Sequence, residues 1–399
     1  MKRRDFLKNT ALASGAIMLP AFLKPFESLA STELTGYKNL VIIQLSGGND
    51  GLNTIVPYGN DIYYQKRSVI SVKPAEVVKL DNMLGLNPNL SALKEIYDQG
   101  WMGIINSVGY PNPDRSHFRS MDIWQTASDS NQFLTTGWIG RYLDSNCQAC
   151  KNAYTAIEVD DTLSLAMKGA TMKGIAVRDP NKLYQSTREP FFKDLLHDHD
   201  SDHLNEDNLG YLYKTMVETY SSAEYIENTS KTYNVNAEYP DTPLGNQLKM
   251  VSKFINSGLQ TRVYYVSLSG FDTHVGQVNQ QSRQLKIYGD AVAALIRDLK
   301  QTGKLDDTLV MTFSEFGRRV EQNASNGTDH GTANNILLLG GKLKKAGIFN
   351  DAPNLSDLDN GDLKYQVDFR DVYATLLDKW LNVNNGQILN RSFDGLDFV

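Results

Sequence analysis

Four short segments of this chain combine carboxylates, imidazoles, a hydroxyl and guanidiniums. The first is Ser46-Gly47-Gly48-Asn49-Asp50-Gly51-Leu52-Asn53-Thr54. The second is Pro113-Asp114-Arg115-Ser116-His117-Phe118-Arg119, and the third is Ser269-Gly270-Phe271-Asp272-Thr273-His274. The fourth, Ser314-Glu315-Phe316-Gly317-Arg318-Arg319, is soon followed by Gly327-Thr328-Asp329-His330-Gly331-Thr332. Carboxylates and imidazoles ligate divalent cations, and arginines clamp anions bidentately, so together the segments stock a metal centre with an anionic substrate. In the first, glycines let the backbone approach a ligand, Asn49 and Asn53 offer amides to a substrate, and Asp50 offers a carboxylate. Singly, each segment has a plainer reading. Gly-Gly-Asn-Asp-Gly is more often a tight turn, and Ser-His or Asp-His-Gly is ordinary composition. Asp272-Thr273-His274 is stronger, because alternate residues leaving a strand can point the same way.

Shared position raises the joint case. The segments follow the apolar runs Lys38–Ser46, Met102–Val108, Arg262–Ser269 and Thr308–Ser314, and further runs occur at Thr155–Val159 and Gly174–Val177. Such runs are the pattern of strands buried on both faces. Between them, apolar residues recur at helical spacing over Leu90–Tyr97, Leu244–Ile255, Leu285–Leu299 and Val372–Leu381, with Asp368 placed to cap the last. Alternating strands and helices predict an α/β fold with a mostly parallel sheet covered on both faces, whose ligands bind beyond the carboxyl ends of the strands. Residues 179–239 are polar, aromatic and partly helical, and are expected to form an insertion over one sheet edge rather than a separate domain.

The composition excludes several classes. With 399 residues, 41% hydrophobic residues and a formal charge of −6, the chain is neither a multi-span membrane protein nor disordered, and its acidity argues against nucleic acid as a partner. Lys2-Arg3-Arg4-Asp5-Phe6-Leu7-Lys8, a 13-residue apolar run from Ala11 to Leu23 and Ser28-Leu29-Ala30 read as a twin-arginine-type signal over residues 1–30. The run is too short for a stable membrane span. The twin-arginine export machinery is thus an expected partner and the periplasm, or another exported location, the expected site of action. Losing the leader shifts the formal charge from −6 to −9. Cys147 and Cys150 suit a local disulfide in an exported protein. His197, His199 and His203 lie in an acidic run that reads as a solvated loop rather than a metal site.

The leader, Gly-Gly-Asn-Asp-Gly-Leu-Asn-Thr, Asp-Arg-Ser-His-Phe with nearby Trp124, Gly-Phe-Asp-Thr-His and Ser-Glu-Phe-Gly-Arg with Asp-His-Gly resemble a bacterial family catalogued as domain of unknown function 1501. The resemblance covers nearly the whole chain. It implies a distant place in the alkaline phosphatase and sulfatase superfamily. That in turn implies a three-layer α/β/α sandwich over residues 37–399, with a two-metal site hydrolysing phosphate or sulfate esters. By resemblance, Asp50 is the first-strand metal ligand, Ser116 the nucleophile at a helix start, and Asp272, His274 and His330 ligands of the first metal. Glu315 and Asp329 complete the expected metal set of Zn, Mn, Ca or Mg. Arg318 and Arg115 would hold the anionic ester, and His117 or His330 could protonate the leaving group.

The chain departs from the superfamily at Glu315-Phe316, where an Asp-His pair is usual, and in the short spacing of Asp272 and His274. These changes leave open one metal, a different metal or a degenerate site. Two functions follow: an exported metal-dependent ester hydrolase, or a non-catalytic exported binding or assembly protein on the same fold.

Overall fold

The computed structural model describes residues 37–145, 152–190 and 208–399, with the side chains of 208–214 left aside. The leader, Cys147, Cys150 and the three histidines between Leu196 and Leu204 lie outside the described residues. No helix among the described residues is long and apolar enough to cross a membrane.

The compact unit of residues 38–187 and 218–399 carries a nine-stranded sheet. Its strands are β1 (Asn39–Ser46), β2 (Met102–Gly109), β3 (Ala156–Glu158), β4 (Ile175–Ala176), β5 (Val263–Ser269), β6 (Thr308–Phe313), β7 (Asn334–Gly340), β8 (Gly347–Ile348) and β9 (Val367–Asp368). They lie in the order β8-β2-β7-β6-β1-β5-β3-β4, with β9 also paired to β2. Every pairing is parallel except those of β7, which runs antiparallel to both β2 and β6.

Period-two alternation divides β1 between two cores. Val41, Ile43 and Leu45 pack with helices α3 (Pro243–Asn256) and α4 (Gln277–Gln301), while Leu40 and Ile42 face α1 (His117–Thr126), α2 (Trp138–Asp144) and α5 (Phe369–Thr375). The result is the three-layer α/β/α sandwich expected from the sequence. Asp368 caps α5 by accepting the Arg370 N–H. Helices Pro180–Thr187 and Asn208–Ser230 lie within the stretch read as an insertion.

β7 was missed by the strand reading, because its Ile-Leu-Leu-Leu core is short and is reached from β6 by loops rather than a crossover helix. Its direction matters: it begins at the edge where β1, β5 and β6 end. Register then brings the polar segments together. Ser46 pairs with Ser269, so the loops after β1 and β5 leave side by side. Gln44 pairs with Phe313, which sets Ser314 beside Leu45, whose carbonyl accepts the serine hydroxyl at 2.6 Å.

Asp50 does different work from the metal ligation expected of it. Its carboxylate meets Arg67 Nη1 at 2.5 Å, takes the Gln277 amide, and accepts the N–H groups of Leu52 and Asn53 at the start of a helical turn. Both partners of the ion pair have fully buried side chains. Asp50→Ala should therefore leave an uncompensated buried guanidinium and cost about 3–5 kcal/mol in urea denaturation, while the metal content of the folded fraction stays at the wild-type value. Loss of metal without loss of stability would return Asp50 to the ligand set.

Candidate functional site

Asp272 Oδ1 is the point on which the site converges. It lies 3.0 Å from His274 Nε2, 3.4 Å from His330 Nε2 and 3.6 Å from His117 Nε2. One ligand atom each from His117, Asp272 and His330 lies within 4.8 Å of the others, and His274 Nε2 stands 2.9 Å from His330 Nε2. The four side chains come from three separate strand ends. Asp272 and His274 follow β5, His330 closes the loop between β6 and β7, and His117 opens α1 after β2.

Each imidazole is held by its other nitrogen. His117 Nδ1 donates to Glu315 Oε1 at 2.9 Å, His330 Nδ1 to the Arg115 carbonyl at 2.7 Å, and His274 Nδ1 to Asp329 Oδ1 at 3.3 Å. This pattern fixes the tautomer and turns every Nε2 lone pair toward Asp272. Three Nε2 lone pairs then face one another across an oxygen whose one donor among the described residues is Arg318 Nη2 at 2.7 Å. This arrangement of imidazole acceptors is repulsive unless a proton or a further cation lies among them. His117 Nε2 is buried without a hydrogen-bond partner, the kind of polar atom that a bound cation would satisfy. The donor set therefore fits a metal.

Electrostatics sharpen the roles. The hydrogen bond to Glu315 raises the His117 pKa above its ordinary value, against the burial that opposes it. Burial lowers that of His330. Partial burial alone would raise that of Asp272, but the hydrogen bond and charge of Arg318, with the nearby imidazoles, bring it below the usual carboxylate range.

Several expected site residues are committed elsewhere. Glu315 is fully buried and accepts the Gly47 and Gly48 N–H groups at 2.8 and 3.1 Å besides holding His117, so it supports a ligand rather than joining the cluster. It also fills the glycine loop that was open to a substrate. Arg318 is 2% exposed, with its guanidinium spent on the carbonyls of Gly48, Thr328 and Phe271 and on Asp272 Oδ1 at 2.7 Å. It is not placed to clamp an ester. Asn49 is tied to Ser314, Thr54 and Asn334, and Asn53 to Ile70, Tyr63 and Arg67, leaving both amides inside the protein. Arg115 pairs with Asp362, which Arg319 also contacts at 3.2 Å. Asp329 orients His274 from the outside. Ser116 is exposed at the N-cap position of α1, where its hydroxyl caps no N–H.

Two contributors escaped the sequence reading. Phe316, standing where an imidazole was expected, is buried beneath the cluster, with its ring 4.8 Å from those of both His117 and His330. Gly48 admits that ring: at φ +66°, a Cβ there would lie 2.2 Å from Phe316. Asp362 holds Arg115, whose carbonyl orients His330, and only the distant hairpin Leu358–Leu363 brings it there.

The family described as "Protein of unknown function (DUF1501)" matches residues 193–393. No curated protein matches the sequence. Among solved structures, the PsFucS1 sulfatase from Pseudoalteromonas sp. is 13% identical, with 90% of this chain and 71% of that chain covered and a TM-score of 0.39. The C-terminal periplasmic domain of EcEptC from Escherichia coli is 13% identical over 77% and 73%, with a TM-score of 0.37. The phosphonate monoester hydrolase SpPMH from Silicibacter pomeroyi is 11% identical over 90% and 78%, with a TM-score of 0.33.

Glu315 stabilises protonated His117, so in metal-free protein that contribution is complete below pH about 6.5 and fades as pH rises through the elevated His117 pKa. In chelator-treated samples, the melting-temperature gap between wild type and Glu315→Gln should accordingly narrow from pH 6 to pH 8.5. A gap independent of pH would sever this link.

Proposed function

The chain belongs to the family of proteins of unknown function DUF1501, and on that premise we propose that it is an exported, metal-dependent hydrolase of phosphate or sulfate esters. The observation that carries the reading is the convergence of three anchored Nε2 atoms on Asp272 Oδ1, one of them buried and unpartnered. His117, His274, His330 and Asp272 would hold the ion, and a set so rich in imidazole suits Zn better than Mn, Ca or Mg. A bound divalent ion supplies Lewis-acid polarisation of the ester and lowers the pKa of an oxygen nucleophile.

The chain's own residues supply the rest. Glu315, Asp329 and the Arg115 carbonyl fix the imidazoles. Ser116, exposed and one residue before His117, offers its hydroxyl oxygen as the nucleophile, forming a seryl ester as the alcohol leaves and releasing the acid on hydrolysis. The His117 side chain faces the ligand cluster, which favours a ligand role over that of leaving-group acid. With Asp50 and Glu315 engaged inside the protein, the described residues support one metal rather than two. The leader and the twin-arginine machinery account for export.

A binding protein with a non-catalytic metal site is the competing reading, and the engagement of Arg318 favours it. Metal content and turnover separate the two. Protein purified without chelator should carry about one equivalent of Zn, and His330→Ala should lose it together with the thermal stabilisation the ion confers. Ser116→Ala should keep the metal and lose turnover of phosphate or sulfate monoesters. Stoichiometric metal with no turnover by wild type in a broad ester screen would sink the enzyme and leave the binding protein.

A further inference from the structure

Two of the most exposed large apolar side chains among the described residues stand one peptide bond from the clustered imidazoles. Phe118 follows His117 and is 88% exposed, and Val275 follows His274 and is 70% exposed. Both imidazoles approach the same oxygen of Asp272. The two residues thus belong to separate elements, the first turn of α1 and the loop after β5, whose backbones meet at a single site. Val278, in the first turn of α4, is also exposed. A phenyl ring left in water forgoes most of the free energy of burying it, which a bound apolar group would recover.

Charge around the cluster selects what that contact is. The guanidiniums that a polyanion would seek are engaged, Arg318 in the interior and Arg115 and Arg319 on Asp362. The carboxylates of Asp272 and Asp329 are half-exposed at the same place. A heavily charged polymer or nucleotide would meet acidic groups and paired cations, whereas a single anionic group on an apolar body would meet a metal and two apolar side chains.

Building on the hydrolase reading, we propose that the substrate is amphiphilic, a single phosphate or sulfate group esterified to an alkyl or aryl alcohol whose apolar half lies against Phe118 and Val275. The full chain, loaded with zinc and separately with manganese, is titrated calorimetrically with phenylphosphonate and with methylphosphonate, two inert analogues sharing one anionic group. Phenylphosphonate should bind about tenfold tighter, the gain expected from covering part of a ring. In Phe118→Ser and in Phe118→Ser/Val275→Ser, the affinity ratio should fall toward one. Because both side chains are exposed, these variants should melt with the wild type, which confirms their folding. Equal affinities in wild type, or a ratio unchanged in the double variant, would overturn the apolar subsite while leaving the hydrolase reading intact. Binding of neither phosphonate would overturn the hydrolase reading and the subsite with it.

Discussion

The carboxyl edge of the sheet is organised around one buried guanidinium. Arg318 reaches from the loop after β6 to the carbonyls of Gly48 after β1 and Phe271 after β5, to the Thr328 carbonyl, and to the Asp272 carboxylate. A buried cation with this many acceptors has no comparable alternative in water-free surroundings, so three loops that could otherwise wander are locked into one arrangement. Gly47 is part of the same constraint: a Cβ there would lie 2.5 Å from the Asp272 nitrogen, and its φ of +115° suits glycine. The position of Asp272 Oδ1, and hence of everything that faces it, follows from Arg318.

Around that anchor the chain builds a graded set of polar groups. Glu315 and Asp329, with the Arg115 carbonyl, fix the imidazole rings, and Asp362 fixes Arg115 in turn. Phe316 gives the rings an apolar floor that strengthens the electrostatics above it. A second buried network, Asp50 with Arg67, Gln277 and Asn53, braces the loop after β1 from the opposite side without contributing to the cluster. Supporting groups thus outnumber those that face the centre, as a site with fixed geometry requires.

Much of this was legible in the sequence, for a physical reason. Continuous apolar runs followed by glycine and polar residues are what strands buried on both faces and opening into ligand loops must look like. Six of the sheet's strands, the capped helix after Asp368 and the segments holding all four clustered side chains were therefore recognisable. The division of labour within those segments was not. Asp50 and Asp272 are equivalent as residue types at strand ends, but Asp50 has Arg67 pressed against it while Asp272 has imidazoles. Likewise, Arg318 in sequence is an exposed-looking arginine in a glycine-rich loop, and only its acceptors show it to be interior.

Residue type and spacing by themselves determined the α/β class, the edge of the sheet where chemistry collects, and the inventory of imidazoles and carboxylates gathered there. Tertiary structure decided which of those groups face one another and which are consumed in support. That choice depends on register and on contacts between residues far apart in the chain, such as His117 with Glu315, 198 positions away, or Asp272 with Arg318, 46 positions away. Local sequence preferences act over a few residues and carry no record of such partners. The burial that makes each pairing obligatory exists only once the sheet and its helices have closed around it.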